Sequence, residues 1–235
     1  MTFGIIGYGQ FGRFMASHLE KHGEVRSYDT NQGGTHTLQD VCASDVLIFA
    51  VPVQSLEHAA LAAAPYVSVE TRIADVSSVK VVALAILNRV FPNHRILGTH
   101  PIFGPQSGKN GITGLPIVLT NHSFSDAELR DAKVFLESLG LNVLERSADA
   151  HDMEMARVQG LAHFIGRALK GLAIADYSTA TKSYRHLLEL RDLLKDDSWE
   201  LFQTIQNENP HAKHVRDEFL AELHRLEALL NDDLS

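Results

Sequence analysis

The chain has 235 residues, room for one large domain or two modest ones, and 45% are hydrophobic, which suits a protein with a sizeable core. A formal charge of -8 argues against nucleic acid as a partner, because phosphate binding needs a basic surface. No apolar run approaches the roughly 20 residues of a membrane helix, the first strand begins at Phe3 with no room for a leader, and Cys42 is the single cysteine, so a cytoplasmic protein without disulfides is expected. Thirteen histidines are scattered along the chain; the helical pairs His18/His22 and His211/His214 have no evident third ligand, and no metal is expected.

In chain order, a short apolar strand from Phe3 runs into Gly7-Tyr8-Gly9-Gln10-Phe11-Gly12, and a helix follows to about His22, closed by Gly23. Gly7 permits the tight turn, Gly9 lets backbone approach a pyrophosphate, and Gly12 lets helix and strand pack closely. The helix start then presents unpaired amides to the phosphates. A second strand, Val25 to Tyr28, ends in Asp29, where a carboxylate can accept hydrogen bonds from the adenosine ribose. A 2′-phosphate would be repelled there, and neither Thr30 nor Asn31 is cationic, so NAD is the expected cofactor. A third strand, Asp45 to Val51, is continuously apolar, as expected for a strand covered on both faces, and its end, Ala50-Val51-Pro52, belongs beside the cofactor.

The alternation continues with a strand at Thr71 to Asp75, a helix at Ser78 to Val90 and a strand at Arg95 to Leu97. Next come a strand at Pro116 to Leu119, a helix at Ser125 to Ser138 and a strand at Asn142 to Glu145. The pattern is α/β: a doubly wound, Rossmann-type, mostly parallel sheet over residues 1–148. Two loops at its carboxyl edge carry polar chemistry, Asp75-Val-Ser-Ser-Val-Lys80 and Gly98-Thr-His-Pro-Ile-Phe-Gly-Pro-Gln-Ser-Gly108. An imidazole at the start of the second, His100, is well placed to move a proton near neutral pH.

Residues 149–235 read as all-helical, with helices near Asp152 to Ala175, Tyr184 to Lys195, Ser198 to Asn207 and His211 to Leu230. They make a thin independent core and are expected to pack against a partner subunit in a homodimer. Gln159 and His163, four apart, share a face among small residues and suit a pocket wall. Tyr184, Leu187, Leu188, Arg191 and Leu194 form one stripe, so Arg191 lies on an apolar face and needs an anion there. Arg185 lies with Glu189 and Asp192, a solvated ion-pair face, about 120° around the helix from Arg191.

With these motifs in place, the chain resembles the prephenate and arogenate dehydrogenases. The likeness rests on the glycine loop, Ala50-Val51-Pro52, the Asp75–Lys80 turn, Thr99-His-Pro-Ile-Phe-Gly-Pro105, His151-Asp152, Gln159-Gly-Leu-Ala-His163 and Thr181-Lys-Ser-Tyr-Arg-His-Leu-Leu188. It implies NAD-dependent oxidative decarboxylation of a cyclohexadienol in tyrosine biosynthesis, with His100 catalytic, Ser78 beside it and Ser77 near the cofactor. Lys80, Gln106, Gln159, His163, Arg185 and Arg191 become candidate substrate ligands, with Arg191 holding a carboxylate. Neutral Gln106 and the apolar setting of Arg191 lean towards prephenate over arogenate. Another hydroxyacid dehydrogenase or imine reductase and a non-catalytic NAD-sensing regulator are the alternative readings; Lys170 is the one candidate for a lysine-based site.

Overall fold

The computed structural model describes residues 1–31 and 33–232; the last three positions of the expected helical half lie outside them. The chain divides into two compact units, Met1–His151 and Asp152–Ser235, so the boundary falls three residues beyond the expected 148.

Among the described residues, the first unit is built on seven strands in the order β2-β1-β3-β4-β5-β6-β7. They are β1 Thr2–Ile6, β2 Glu24–Tyr28, β3 Val46–Phe49, β4 Arg72–Asp75, β5 Arg95–Pro101, β6 Pro116–Asn121 and β7 Asn142–Glu145. The first five are mutually parallel; β6 runs antiparallel to β5, and β7 is parallel to β6. Alternation along the strands feeds two cores. Phe3, Ile5 and Ile48 face α1 Gln10–Leu19 and α5 Asp126–Ser138, where Phe3 stacks on Phe135 with centroids 5.6 Å apart. Ile6, Leu47, Phe49 and Ile73 face α2 Leu38–Cys42, α3 Val53–Ala63 and α4 Val81–Val90. Between α1 and α5 the sheet floors an apolar cavity of about 370 Å³, its wall including Phe11, Phe14, Leu97 and Phe135.

Several boundaries differ from expectation for physical reasons. The α2 and α3 helices have no counterpart in the sequence reading, although Thr37 and Asp40 form a reciprocal capping box on α2. The first helix ends at Leu19, and Gly23 is not a left-handed cap; a Cβ there would lie 2.2 Å from the Met1 carbonyl, so close approach is what demands glycine. The helix expected from Ser78 starts at Val81, because the preceding residues form the turn described below. The strand expected to stop at Leu97 continues to Pro101, because Gly98–Pro101 pair with Ile117–Thr120 of β6. His100 therefore sits on a strand end rather than in a loop.

The second unit is helical, with α6 Ala148–Met155 crossing the boundary, followed by α7 Ala162–Gly171, α8 Lys182–Leu193, α9 Trp199–Gln203 and α10 Ala212–Asp232. The expected continuous Asp152–Ala175 helix is interrupted by a π-helical stretch, Ala156–Leu161, and α9 passes into a second one, Thr204–Glu208. The wider turns free backbone carbonyls for side chains. Gln206 Nε2 donates to the Gly160 carbonyl at 2.7 Å, and Asn209 Nδ2 donates to the Asp152 carbonyl at 2.8 Å. Both donors are buried, and the first of these bonds ties the two π turns together.

Candidate active site

The register of the parallel strands aligns Tyr28, Ile6, Phe49, Asp75 and Gly98 in one row across the sheet. The segments that leave this row share the carboxyl edge. They bring together Asp29, the glycine loop, Ala50-Val51-Pro52, Ser77 with Ser78, and His100. At about 4.8 Å per strand the row is roughly 19 Å long from β2 to β5. Within it, the gap between β1 and β3 is where the chain reverses its direction of travel across the sheet, the place where this architecture binds its ligand.

The glycine loop has the geometry its spacing implies. Gly7 has a φ of +102°, and a Cβ there would lie 2.6 Å from the Ala50 carbonyl oxygen. A Cβ on Gly12 would lie 2.0 Å from the Gly7 carbonyl oxygen, whereas one on Gly9 would meet no atom of the described residues within 4 Å. The first and third glycines thus serve the fold, and the second keeps space open beside the start of α1. Gly9 caps that helix without a side-chain bond, leaving its first amides available. Asp29 Oδ2 accepts from the Tyr8 amide at 2.7 Å and Oδ1 from the Asn31 amide at 2.7 Å, so the carboxylate that ends β2 also ties down the loop. The sequence reading did not assign Arg13, whose guanidinium lies 5.6 Å from the centre of the Tyr8 ring.

The turn after β4 is organised by a buried ion pair. Lys80 Nζ lies 2.5 Å from Asp75 Oδ2 and 2.6 Å from the Thr99 carbonyl, and Thr99 Oγ1 donates to the Asp75 carbonyl at 2.6 Å. The Lys80 side chain is 0% exposed, which corrects its expected role. An ammonium enclosed in this way anchors one strand end to the next and does not reach a substrate. Ser77 is likewise spent on the turn, its amide bonding Asp75 Oδ2 at 3.0 Å and its hydroxyl reaching the same oxygen. Ser78 is half-buried and makes no side-chain hydrogen bond among the described residues.

His100 is 4% exposed, and its Nδ1 lies 2.8 Å from Nε2 of His151, itself 1% exposed. His151 is set by α6, its amide bonded to the Ser147 carbonyl at 2.9 Å. Burial, with the neighbouring His151 and Lys80, holds the His100 pKa well below the usual imidazole range. The ring is therefore neutral near pH 7, as a proton acceptor must be. The sequence reading assigned no role to His151; its position just past the last strand, in a His-Asp pair, was the available signal. Gln106 is exposed.

In the second unit, Gln159 lies in the first π stretch and His163 in the first turn of α7. His163 Nδ1 is 3.5 Å from Asp197 Oδ2, yet its pKa is lowered to about 4, chiefly by burial and then by Arg167. Burial raises that of Asp197. Arg191 does lie with buried Leu188 and half-buried Tyr184 and Leu194, but Leu187 on the expected stripe is 41% exposed. Its guanidinium binds the Ile174 carbonyl and Asp192, at 2.8 Å from Nη2 to the carboxylate, so partners within the chain already meet the need for an anion. Arg185 is exposed and does not form the expected face: Glu189 pairs with His186 at 2.9 Å, and Asp192 is held by Arg191.

A doubly wound sheet with an open glycine turn at its switch point, followed by a helical unit, defines a nucleotide-binding protein of the dehydrogenase type. Residues 17–145 match the family model described as prephenate dehydrogenase, nucleotide-binding domain, and residues 168–235 match a TYRAAT1-like C-terminal domain. The chain belongs to the prephenate/arogenate dehydrogenase family. It is 30% identical over 233 residues to arogenate dehydrogenase 2, chloroplastic, of Arabidopsis thaliana, covering 90% of this chain and 65% of the relative. A second Arabidopsis arogenate dehydrogenase is 29% identical, with 93% and 37% covered, and the cyclohexadienyl dehydrogenase of Zymomonas mobilis is 29% identical, with 86% and 73% covered. The chain thus spans about two thirds or less of the Arabidopsis relatives. The fold matches prephenate dehydrogenase from Aquifex aeolicus in complex with hydroxyphenyl propionate and NAD+, with a TM-score of 0.78 at 19% identity, covering 99% of this chain and 91% of that one. It also matches Synechocystis arogenate dehydrogenase at 0.73 and 18%, covering 99% and 93%.

Proposed function

We propose that the chain is an NAD-dependent dehydrogenase that oxidatively decarboxylates a cyclohexadienol, arogenate or prephenate, in tyrosine biosynthesis. The observation that carries this reading is a buried, neutral imidazole, His100, on the same sheet edge as the glycine loop. The residues fit the cofactor: the space at Gly9, the uncapped start of α1 and the Asp29 carboxylate suit a pyrophosphate and an unphosphorylated ribose. NAD bound there supplies the hydride acceptor. His100 takes the proton of the ring hydroxyl as the carbon bearing it is oxidised, and loss of the ring carboxylate as carbon dioxide makes the product aromatic. Ser78, with its hydroxyl uncommitted, orients the substrate hydroxyl.

The two features that favoured prephenate do not distinguish the substrates, since Gln106 is exposed and Arg191 is held by Asp192 and the Ile174 carbonyl. Support for arogenate comes from the names of the Arabidopsis and Synechocystis proteins, and support for prephenate from that of the Aquifex protein. Exposed leucines along α10, at 220, 223, 226 and 230, support a homodimer. The deciding experiment supplies NAD with arogenate or prephenate separately and follows NADH together with tyrosine or 4-hydroxyphenylpyruvate. Formation of NADH with neither substrate refutes the reading.

A further inference from the structure

The contact between His100 and His151 contains a choice that burial alone does not make. Each neutral imidazole carries one N–H, so a 2.8 Å contact between Nδ1 of one and Nε2 of the other requires one ring to donate and the other to accept. If His151 donated, the His100 proton would sit on Nε2, and that atom could not take another. If His100 donates from Nδ1, its Nε2 presents a bare lone pair. Resting on the function proposed above, we infer that His151 is the positioning residue that holds His100 in the Nδ1-protonated tautomer, with Nε2 as the base.

The surroundings suit this role. Both rings are buried and meet edge to face, with centroids 5.0 Å apart and planes at 71°, so neither ring can turn without losing the bond. They come from different elements, the end of β5 and the first turns of α6, and both belong to the first compact unit. The backbone on the His100 side is pinned as well, since the Thr99 carbonyl accepts from Lys80. When the substrate O–H bond breaks, its proton forms the Nε2–H bond. His100 becomes a cation with both nitrogens protonated, and the Nδ1–H bond to His151 shortens its search for a partner at the moment the charge appears. A charge-assisted bond of this kind is roughly twice as strong as a neutral one. The other charged groups near His100 are Lys80, which opposes its protonation, and Asp75, which is paired with Lys80.

The test reads the tautomer directly. Long-range ¹H–¹⁵N correlation spectra of the 235-residue chain, with the His100 signals identified by their loss in His100→Asn, show which ring nitrogen is bare. Bare Nε2 and protonated Nδ1 are expected in the wild type and in His151→Gln, whose amide oxygen can accept the same bond. In His151→Leu a tautomer mixture is expected, with kcat lowered by about tenfold or more, within the range a positioned base supplies, and KM for NAD unchanged. A resting His100 protonated on Nε2 overturns the inference. So does a folded His151→Leu variant that keeps the wild-type tautomer and kcat; if that variant does not fold, the wild-type spectrum decides. A protein that oxidises neither arogenate nor prephenate refutes the proposed function, and the nitrogen assignment is still read independently of turnover.

Discussion

Replacing Lys80 with methionine isolates the buried ion pair beneath the base. The substitution keeps most of the side-chain volume and removes a charge whose Nζ lies 2.5 Å from Asp75 and 2.6 Å from the Thr99 carbonyl. Asp75 is 1% exposed; among the described residues its Oδ1 has no hydrogen-bond partner, and without the ammonium its Oδ2 keeps only Ser77. Removing one member of such a pair costs about 3–5 kcal/mol, because the remaining charge stays buried and uncompensated. Against a total stability of roughly 5–15 kcal/mol this is a large fraction. At about 2–4 °C per kcal/mol for a chain of this size, the melting temperature should fall by roughly 6–20 °C. Thermal and urea denaturation followed by far-UV circular dichroism measure it, and the double variant Lys80→Met/Asp75→Leu should recover part of the loss. A Lys80→Met protein as stable as the wild type but with a raised KM for the cyclohexadienol would refute the reasoning and restore Lys80 as a substrate ligand.

The glycines should separate by what they touch: Gly12→Ala forces a Cβ onto the Gly7 carbonyl and lowers the melting temperature, whereas Gly9→Ala leaves the melt intact and weakens NAD binding in calorimetric titration. His100→Asn should lower kcat by about 10²–10⁴ while NAD affinity is retained. Because the His100 pKa is well below the usual value, kcat/KM should stay level as pH falls through 6.5 and decline only at lower pH; a midpoint at 6.5 would contradict its burial. His163 has a folded pKa of about 4 against an ordinary 6.5, so the unfolded chain binds the extra proton first as pH falls. Its contribution is complete above pH 6.5 and is lost between there and about 4, on the order of 3 kcal/mol. Urea midpoints measured across that window should fall for the wild type and less steeply for His163→Gln.

The parts of this site that depend on local pattern were legible in the sequence. The apolar runs of β1 and β3, the glycine spacing and Asp29 each follow from residues within a few positions of one another, and they lie where that pattern implies. The remainder depends on pairing between distant segments. Gly98 and Pro101 are weak strand formers, and only antiparallel pairing with β6 extends β5 through His100. Lys80 looked available because nothing in a linear sequence shows that its ammonium turns back to Asp75 and the Thr99 carbonyl. The contact between His100 and His151 joins residues 51 positions apart. In the helical half, a uniform 3.6-residue period hides the π turns at Ala156–Leu161 and Thr204–Glu208, and the arginine stripe gave no hint that Asp192 and the Ile174 carbonyl would engage Arg191.

These long-range links also explain why polar groups occupy the base of the site where apolar ones would pack as well. Apolar residues of similar volume often hold a fold together as firmly as a buried ion pair does, but they do not fix a direction. The Lys80 ammonium binds the end of β4 through Asp75 and β5 through the carbonyl immediately before His100, while Thr99 Oγ1 returns a bond to the Asp75 carbonyl. A turn carrying Ser78 and a strand end carrying His100 are thereby fixed to each other by three directed bonds. The cost of burying the charges falls on stability, and the benefit falls on geometry: a displacement of either strand end would stretch all three bonds at once. The same ammonium also opposes a second positive charge on the imidazole, so the device that positions the base helps keep it unprotonated.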